Sequence, residues 1–160
     1  MTGDRAERVI VLTMRLLAVT FAVVGILFIA VPDAVIGSID AVGAWLGAFA
    51  AGPGTEQKLW LGLAFAYMVV ITGIALVVQS DVARFRPLLL VLAAGKAASS
   101  LAGAAFFVFD QNVFIYLLNF VVDGSLVGIA LWCWALAGHV GTARAAAPAG
   151  APSAAPTPPG

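Results

Sequence analysis

Apolar residues gather along this chain into four long blocks separated by short polar breaks. The first covers residues 9–31, "VIVLTMRLLAVTFAVVGILFIAV", and the others cover 58–78, 88–109 and 113–136. Each is close to the ~20 residues with which a helix crosses ~30 Å of hydrocarbon. The pattern predicts an all-α fold, an integral membrane four-helix bundle over residues 9–137. Pro32 and Asp33 end the first block, because proline disfavours helix at the preceding residue and a carboxylate belongs in water. "DVARFRP" after the second block and "DQN" after the third are short enough to make their flanking helices antiparallel neighbours.

Residues 33–54 are too interrupted by Asp40 and glycines to span. Val35, Ile36, Ile39, Val42, Leu46 and Phe49 recur there at helical spacing, while Asp33, Ser38 and Asp40 point elsewhere. This suits a short amphipathic helix in the headgroup plane with Trp45 at the interface; a loop packed over the mouth of the bundle fits equally well. Residues 1–8 form a polar N-terminus. Residues 138–160 turn to Ala, Gly, Pro, Ser and Thr and read as a disordered tail, since nothing in them buries enough apolar surface to offset ordering.

Arg5, Arg8 and Arg15 near the first block raise the alternative of a signal peptide. The block exceeds the ~7–15 residues of a signal-peptide core, and no small-x-small cleavage site follows "LFIAVPD", so it reads as a retained helix. Arg5, Arg8, Arg84, Arg86 and Arg144 fall on one side of the spans, and Lys58 with Asp33, Asp40, Glu56 and Asp110 on the other. The positive-inside rule then places both termini in the cytoplasm.

Composition agrees: 62% of residues are hydrophobic and 10% charged, against roughly 25% charged in soluble domains. Eight basic and eight acidic residues leave a formal net charge of zero. With no basic stripe, nucleic acid is not an expected partner. Cys133 is the single cysteine and His139 the single histidine, so an intrachain disulfide, a CxxC pair and a bis-histidine haem are all ruled out within one chain. No nucleophile–base pair, phosphate loop or metal-ligand spacing occurs. No catalytic residue, metal or cofactor is therefore assigned.

Two ionisable residues sit far from any interface. Lys96 lies roughly 12 Å into the third block and Asp123 roughly 15 Å into the fourth, at ~1.5 Å per residue. Each would cost about 2.5–3.5 kcal/mol at a helix centre, so two separate lipid-facing charges make no sense. Lys96, Ser99, Ser100 and Gly103 share a helical face. Gly95, Ser99 and Gly103 form a small-xxx-small ladder that lets another helix approach. Asn119 and Asp123 stand one turn apart, beside the GxxxG of Gly124 and Gly128. The expected intramembrane polar site is a Lys96–Asp123 contact with Asn119, Ser99 and Ser100 around it. It reads either as interhelical glue or as a proton or ligand centre, with a snorkelling lysine as the remaining alternative.

Tyr67, Met68 and Thr72 could complete a polar pocket, though core packing is the plainer reading. Arg15 reads as a snorkeller, with Asp123 as an alternative partner. Cys133 reads as a small apolar filler, and Trp60, Trp132 and Trp134 as interface anchors.

"LFIAVPD", the longer outer segment, "GLAFAYMVVITGIAL" and "GKAASSLAG" resemble the small four-helix bacterial membrane proteins of the DoxX-like type, over roughly Leu16 to Trp134. The resemblance implies architecture and a bacterial cytoplasmic (inner) membrane as the location; that group includes a quinone-linked subunit, and no catalytic residue carries over by motif. The expected function is a non-enzymatic accessory or homo-oligomeric membrane component, whose partners are the lipid bilayer and either its own copies or another membrane subunit. A small proton-coupled transporter with Asp123 as coupling residue is the alternative, and a membrane subunit of a quinone-linked redox complex the second alternative.

Overall fold

The computed structural model describes residues 2–47, 49–52, 54, 56 and 58–146. The fold is all-helical, in the order α1 (Gly3–Ala30), α2 (Pro32–Leu46), α3 (Lys58–Ser80), α4 (Arg86–Phe109) and α5 (Phe114–Ala146). Four of these, all but α2, are long and apolar enough to cross a membrane. Large apolar side chains such as Leu12, Leu16, Val91 and Leu101 stand exposed around the bundle. In water such contiguous patches would drive aggregation; against lipid they are the expected outer surface. This is a multi-pass membrane protein.

Local chemistry sets the joints. Val31 leaves the helical region at φ −140° and ψ 53°, and Pro32 then opens α2. Proline is tolerated in a first turn because it lacks an N–H that would find no partner there. Pro87 does the same for α4. The Asp81 carboxylate accepts a 3.2 Å hydrogen bond from Arg84 N in the α3–α4 turn. At the α4–α5 turn, Ala50 N donates to Asn112 O at 2.8 Å, which pins the α2–α3 connection onto the bundle.

The four spans form a ring in the order α3, α1, α5, α4, with the broadest contacts between α1 and α3 and between α4 and α5. The main apolar core gathers in one half of the bundle. Ala6, Ile10 and Met14 of α1, Ile71, Ala75 and Val78 of α3, Leu89 and Leu92 of α4, and Ala130, Cys133, Ala137 and Val140 of α5 are all buried there. This half carries the arginine-rich helix ends. In the opposite half α2 packs on α1 and α5.

Two boundaries differ from the sequence reading. α1 begins at Gly3, inside the expected polar N-terminus, and α5 runs on to Ala146, into the expected disordered tail. A hydropathy reading stops where the oil stops, but these ends stay helical because they pack together. Ala6 and Val140 are buried, and a Cβ on Gly3 would lie 2.8 Å from the Cβ of Ala143. The rest of the expected tail, 147–160, lies outside the described residues.

Between the first two spans the structure has the helix α2 rather than a loop, and this helix packs on α1 and α5. Gly43 is its contact point, since a Cβ there would sit 2.6 Å from Phe114 Cβ of α5. Trp45, Val42 and Leu46 face outward. Asp40 differs from its expected outward role. Its Oδ2 accepts a 2.9 Å hydrogen bond from Gly52 N, so it ties the following loop down onto α2.

Candidate functional site

The lysine in the apolar third span is the largest side chain the bundle encloses fully, at 1% exposure. Its Nζ lies 2.9 Å from Asp123 Oδ1 on α5. It also lies 4.8 Å from the ring centre of Phe21 on α1 and 5.2 Å from that of Tyr67 on α3. The negative faces of aromatic rings attract a cation, by about 2 kcal/mol or more once water is excluded. One ammonium group on α4 thus makes a polar contact with each of the other three spans.

Toward the opposite half, further bonds close the α4–α5 seam. Ser100 Oγ donates to Phe120 O at 2.8 Å, and Asn119 Nδ2 donates to Ser99 O at 3.0 Å and to Ser99 Oγ at 3.3 Å. The Ser99 carbonyl can only accept, so the nitrogen of the Asn119 amide must face it and the oxygen must face away. Gly103 ends the seam, where a Cβ would lie 2.9 Å from Tyr116 O. The structure therefore brings Lys96, Asp123, Asn119, Ser99 and Ser100 into one cluster.

The small-residue ladder divides between two neighbours. Gly103 faces α5, whereas Gly95 faces α3, where a Cβ would lie 3.2 Å from Tyr67 Oη. Of the GxxxG pair, Gly124 packs on Ser100, while a Cβ on Gly128 would meet nothing within 4 Å. Arg15 turns to the helix end and donates from Nε to Gln79 Oε1 at 3.1 Å, away from Asp123. Cys133 is fully buried among core apolar residues. Trp60 and Trp132 are exposed. Trp134 has a further role: Arg86 donates from Nε to its backbone oxygen at 2.9 Å and lays its guanidinium over the indole at 4.2 Å, fastening α4 to α5 at the arginine-rich end.

Two cavities meet at this cluster. The larger, about 420 Å³, lies among α1, α2 and α5, with Leu27, Val35, Ile39 and Leu118 in its walls and Lys96, Asn119 and Asp123 at its base. The second, about 380 Å³, opens on the α3–α4 side past Tyr67 and Ser99 and shares Asn119 and Asp123. Met68 lines both cavities. Thr72 lines neither of them; it borders a third, lipid-side hollow between α1 and α3. Among the described residues, no group of three His, Cys, Asp or Glu stands close enough to hold a metal ion.

Sequence reasoning did not find Phe21 or the roof made by Val35 and Ile39, because an apolar residue among apolar residues carries no mark of what it faces. Asp40 did carry one, as a lone carboxylate one turn from Ile36 on the inward face of α2.

The Tyr67 hydroxyl is buried with no hydrogen-bond partner among the described residues. A buried polar group without a partner costs about 1–3 kcal/mol, whereas phenylalanine keeps the ring beneath the ammonium. Tyr67→Phe is expected to raise stability by about 1 kcal/mol, read by reversible unfolding in bicelles. A loss of similar size would mean that the hydroxyl has a partner in the membrane.

Set against protein-family models, curated proteins and solved structures, the chain matches none.

Proposed function

We propose that this protein is a non-enzymatic membrane component, an accessory subunit or a self-assembling bundle, in which the Lys96–Asp123 pair serves as the internal fastening of the four spans. The carrying observation is that the Lys96 ammonium is neutralised by Asp123 on α5 and covered by rings from α1 and α3. A group committed to all its neighbours is suited to fixing register rather than to turning over. The element order, with an outer helix between the first two spans, supports placing it with the DoxX-like bundles. The gathering of arginines at one end supports both termini being cytoplasmic, and the likeness to the DoxX-like bundles supports a bacterial inner membrane.

One observation favours a second reading, a proton-coupled carrier: Asp123 borders cavities on two sides of the bundle. Proteoliposomes with an imposed pH gradient separate the two. The expected result is no proton flux above that of empty vesicles, and no difference between the wild type and a folded Asp123→Asn variant. A gradient-driven flux that disappears in Asp123→Asn would replace the fastening with a coupling site. Pull-down in mild detergent then distinguishes self-assembly from a partner subunit.

A further inference from the structure

The larger cavity has a base whose chemistry is unusually restricted. Lys96 cannot serve a ligand there: its ammonium is enclosed by Asp123, Phe21 and Tyr67 at 1% exposure. Of the other polar side chains in the lining, Thr20 on α1 has a hydroxyl that can donate or accept, while Asp123 and Asn119, beside Lys96, have only acceptors left. Asp123 spends Oδ1 on Lys96, and among the described residues no side chain or backbone group donates to its Oδ2. Asn119 spends its nitrogen on Ser99, which leaves its carbonyl oxygen. Both residues line the cavity, and Asp123 is only 5% exposed. Acceptors facing an apolar cavity lose hydration and gain from a donor, and a donor supplied by a ligand makes up that loss.

The charge balance narrows the donor. A carboxylate or phosphate would face acceptors and be repelled. A protonated amine would approach a pair that Lys96 has already neutralised, and it would add a second cation beside the first. A neutral hydroxyl meets neither objection. The walls above are apolar, from Leu27, Phe28, Val35, Ile39 and Leu118, and the volume of about 420 Å³ falls within the ~300–1,000 Å³ of small-molecule pockets. We propose that the cavity among α1, α2 and α5 binds a neutral lipid-soluble alcohol, its hydroxyl donating its one proton to the Asp123 carboxylate, beside the Asn119 carbonyl, and its apolar body lying under α2.

The test uses the full-length protein in nanodiscs and needs no variant for its main comparison. The probe is dodecanol with a diazirine and an alkyne near its far end, captured by light and competed with unlabelled compounds of equal chain length. Dodecanol is expected to compete at least tenfold better than dodecyl methyl ether, which accepts but cannot donate, and better than dodecanoic acid or dodecylamine. Capture sites should map to α1, α2 and the first turns of α5, and Leu118→Trp, which fills the cavity, should abolish them without lowering the melting temperature. Equal competition by the ether would reduce the cavity to an unspecific apolar space. A preference for the acid or the amine would give the recognition to Lys96 or to an unpaired Asp123, and capture that does not saturate would remove the site. Each of these three results overturns the proposal.

Discussion

Lys96→Met alone is expected to destabilise the bundle by about 3 kcal/mol or more, Asp123→Leu alone by a similar amount, and the double variant by far less than either. Either single change leaves one charged group at mid-depth with no counter-ion, and breaking a buried pair costs about 3–5 kcal/mol. Replacing both partners with apolar groups of similar volume removes the attraction and the desolvation cost together, and such swaps are often close to neutral. The coupling energy should therefore exceed about 2 kcal/mol, well above the ~0.6 kcal/mol average for interhelical hydrogen bonds in membranes. Steric-trap unfolding in bicelles measures all four proteins of the cycle. Additive losses would mean that the 2.9 Å contact contributes nothing as a pair.

Gly103→Leu is expected to cost about 3 kcal/mol, and Gly103→Ala about 2 kcal/mol, at the upper range of overpacking. A Cβ there would lie 2.9 Å from Tyr116 O, 3.0 Å from Asn119 Nδ2 and 3.2 Å from Phe120 N. Two of these are backbone atoms of α5 and cannot rotate away, so α4 and α5 must part. Parting stretches the Ser100–Phe120 and Asn119–Ser99 bonds just beside the glycine. Gly128→Ala is the control. It sits in the GxxxG that a motif search would favour, yet nothing lies within 4 Å of its would-be Cβ, and alanine gains up to about 1 kcal/mol of helix propensity. The same unfolding assay should show it neutral or slightly stabilising. If both glycines respond alike, helix propensity rather than contact governs this seam.

These two contrasts mark how far the sequence could be read. The spans were legible because a ~30 Å slab imposes a minimum run of apolar residues, and the turns at "DVARFRP" and "DQN" are polar by necessity. The meeting of Lys96 with Asp123 was legible for a related reason: two costly charges at similar depth on neighbouring helices have one inexpensive arrangement. Depth and facing say nothing of what lies on the third side, so the rings of Phe21 and Tyr67 remained hidden. The glycine ladder was half legible. Spacing groups Gly95 with Gly103 on one broad face, but the angle between them lets each serve a different neighbour. The helix ends were misjudged because residues 3–8 and 138–146 are kept helical by each other, and a window sliding along one strand of text cannot see a partner more than a hundred positions away.

That mutual dependence bears on how the protein is made. Gly3 and Ala6 are synthesised well before Val140 and Ala143, with which they pack at one end of the bundle. Until those residues are made the opening turns of α1 have no shelter, and the half of the bundle that holds the main apolar core cannot close however well the earlier helices have inserted. The seam between the start of α1 and the end of α5 therefore closes late, and a nascent chain halted before α5 is complete would present quality-control proteases with an unfinished seam.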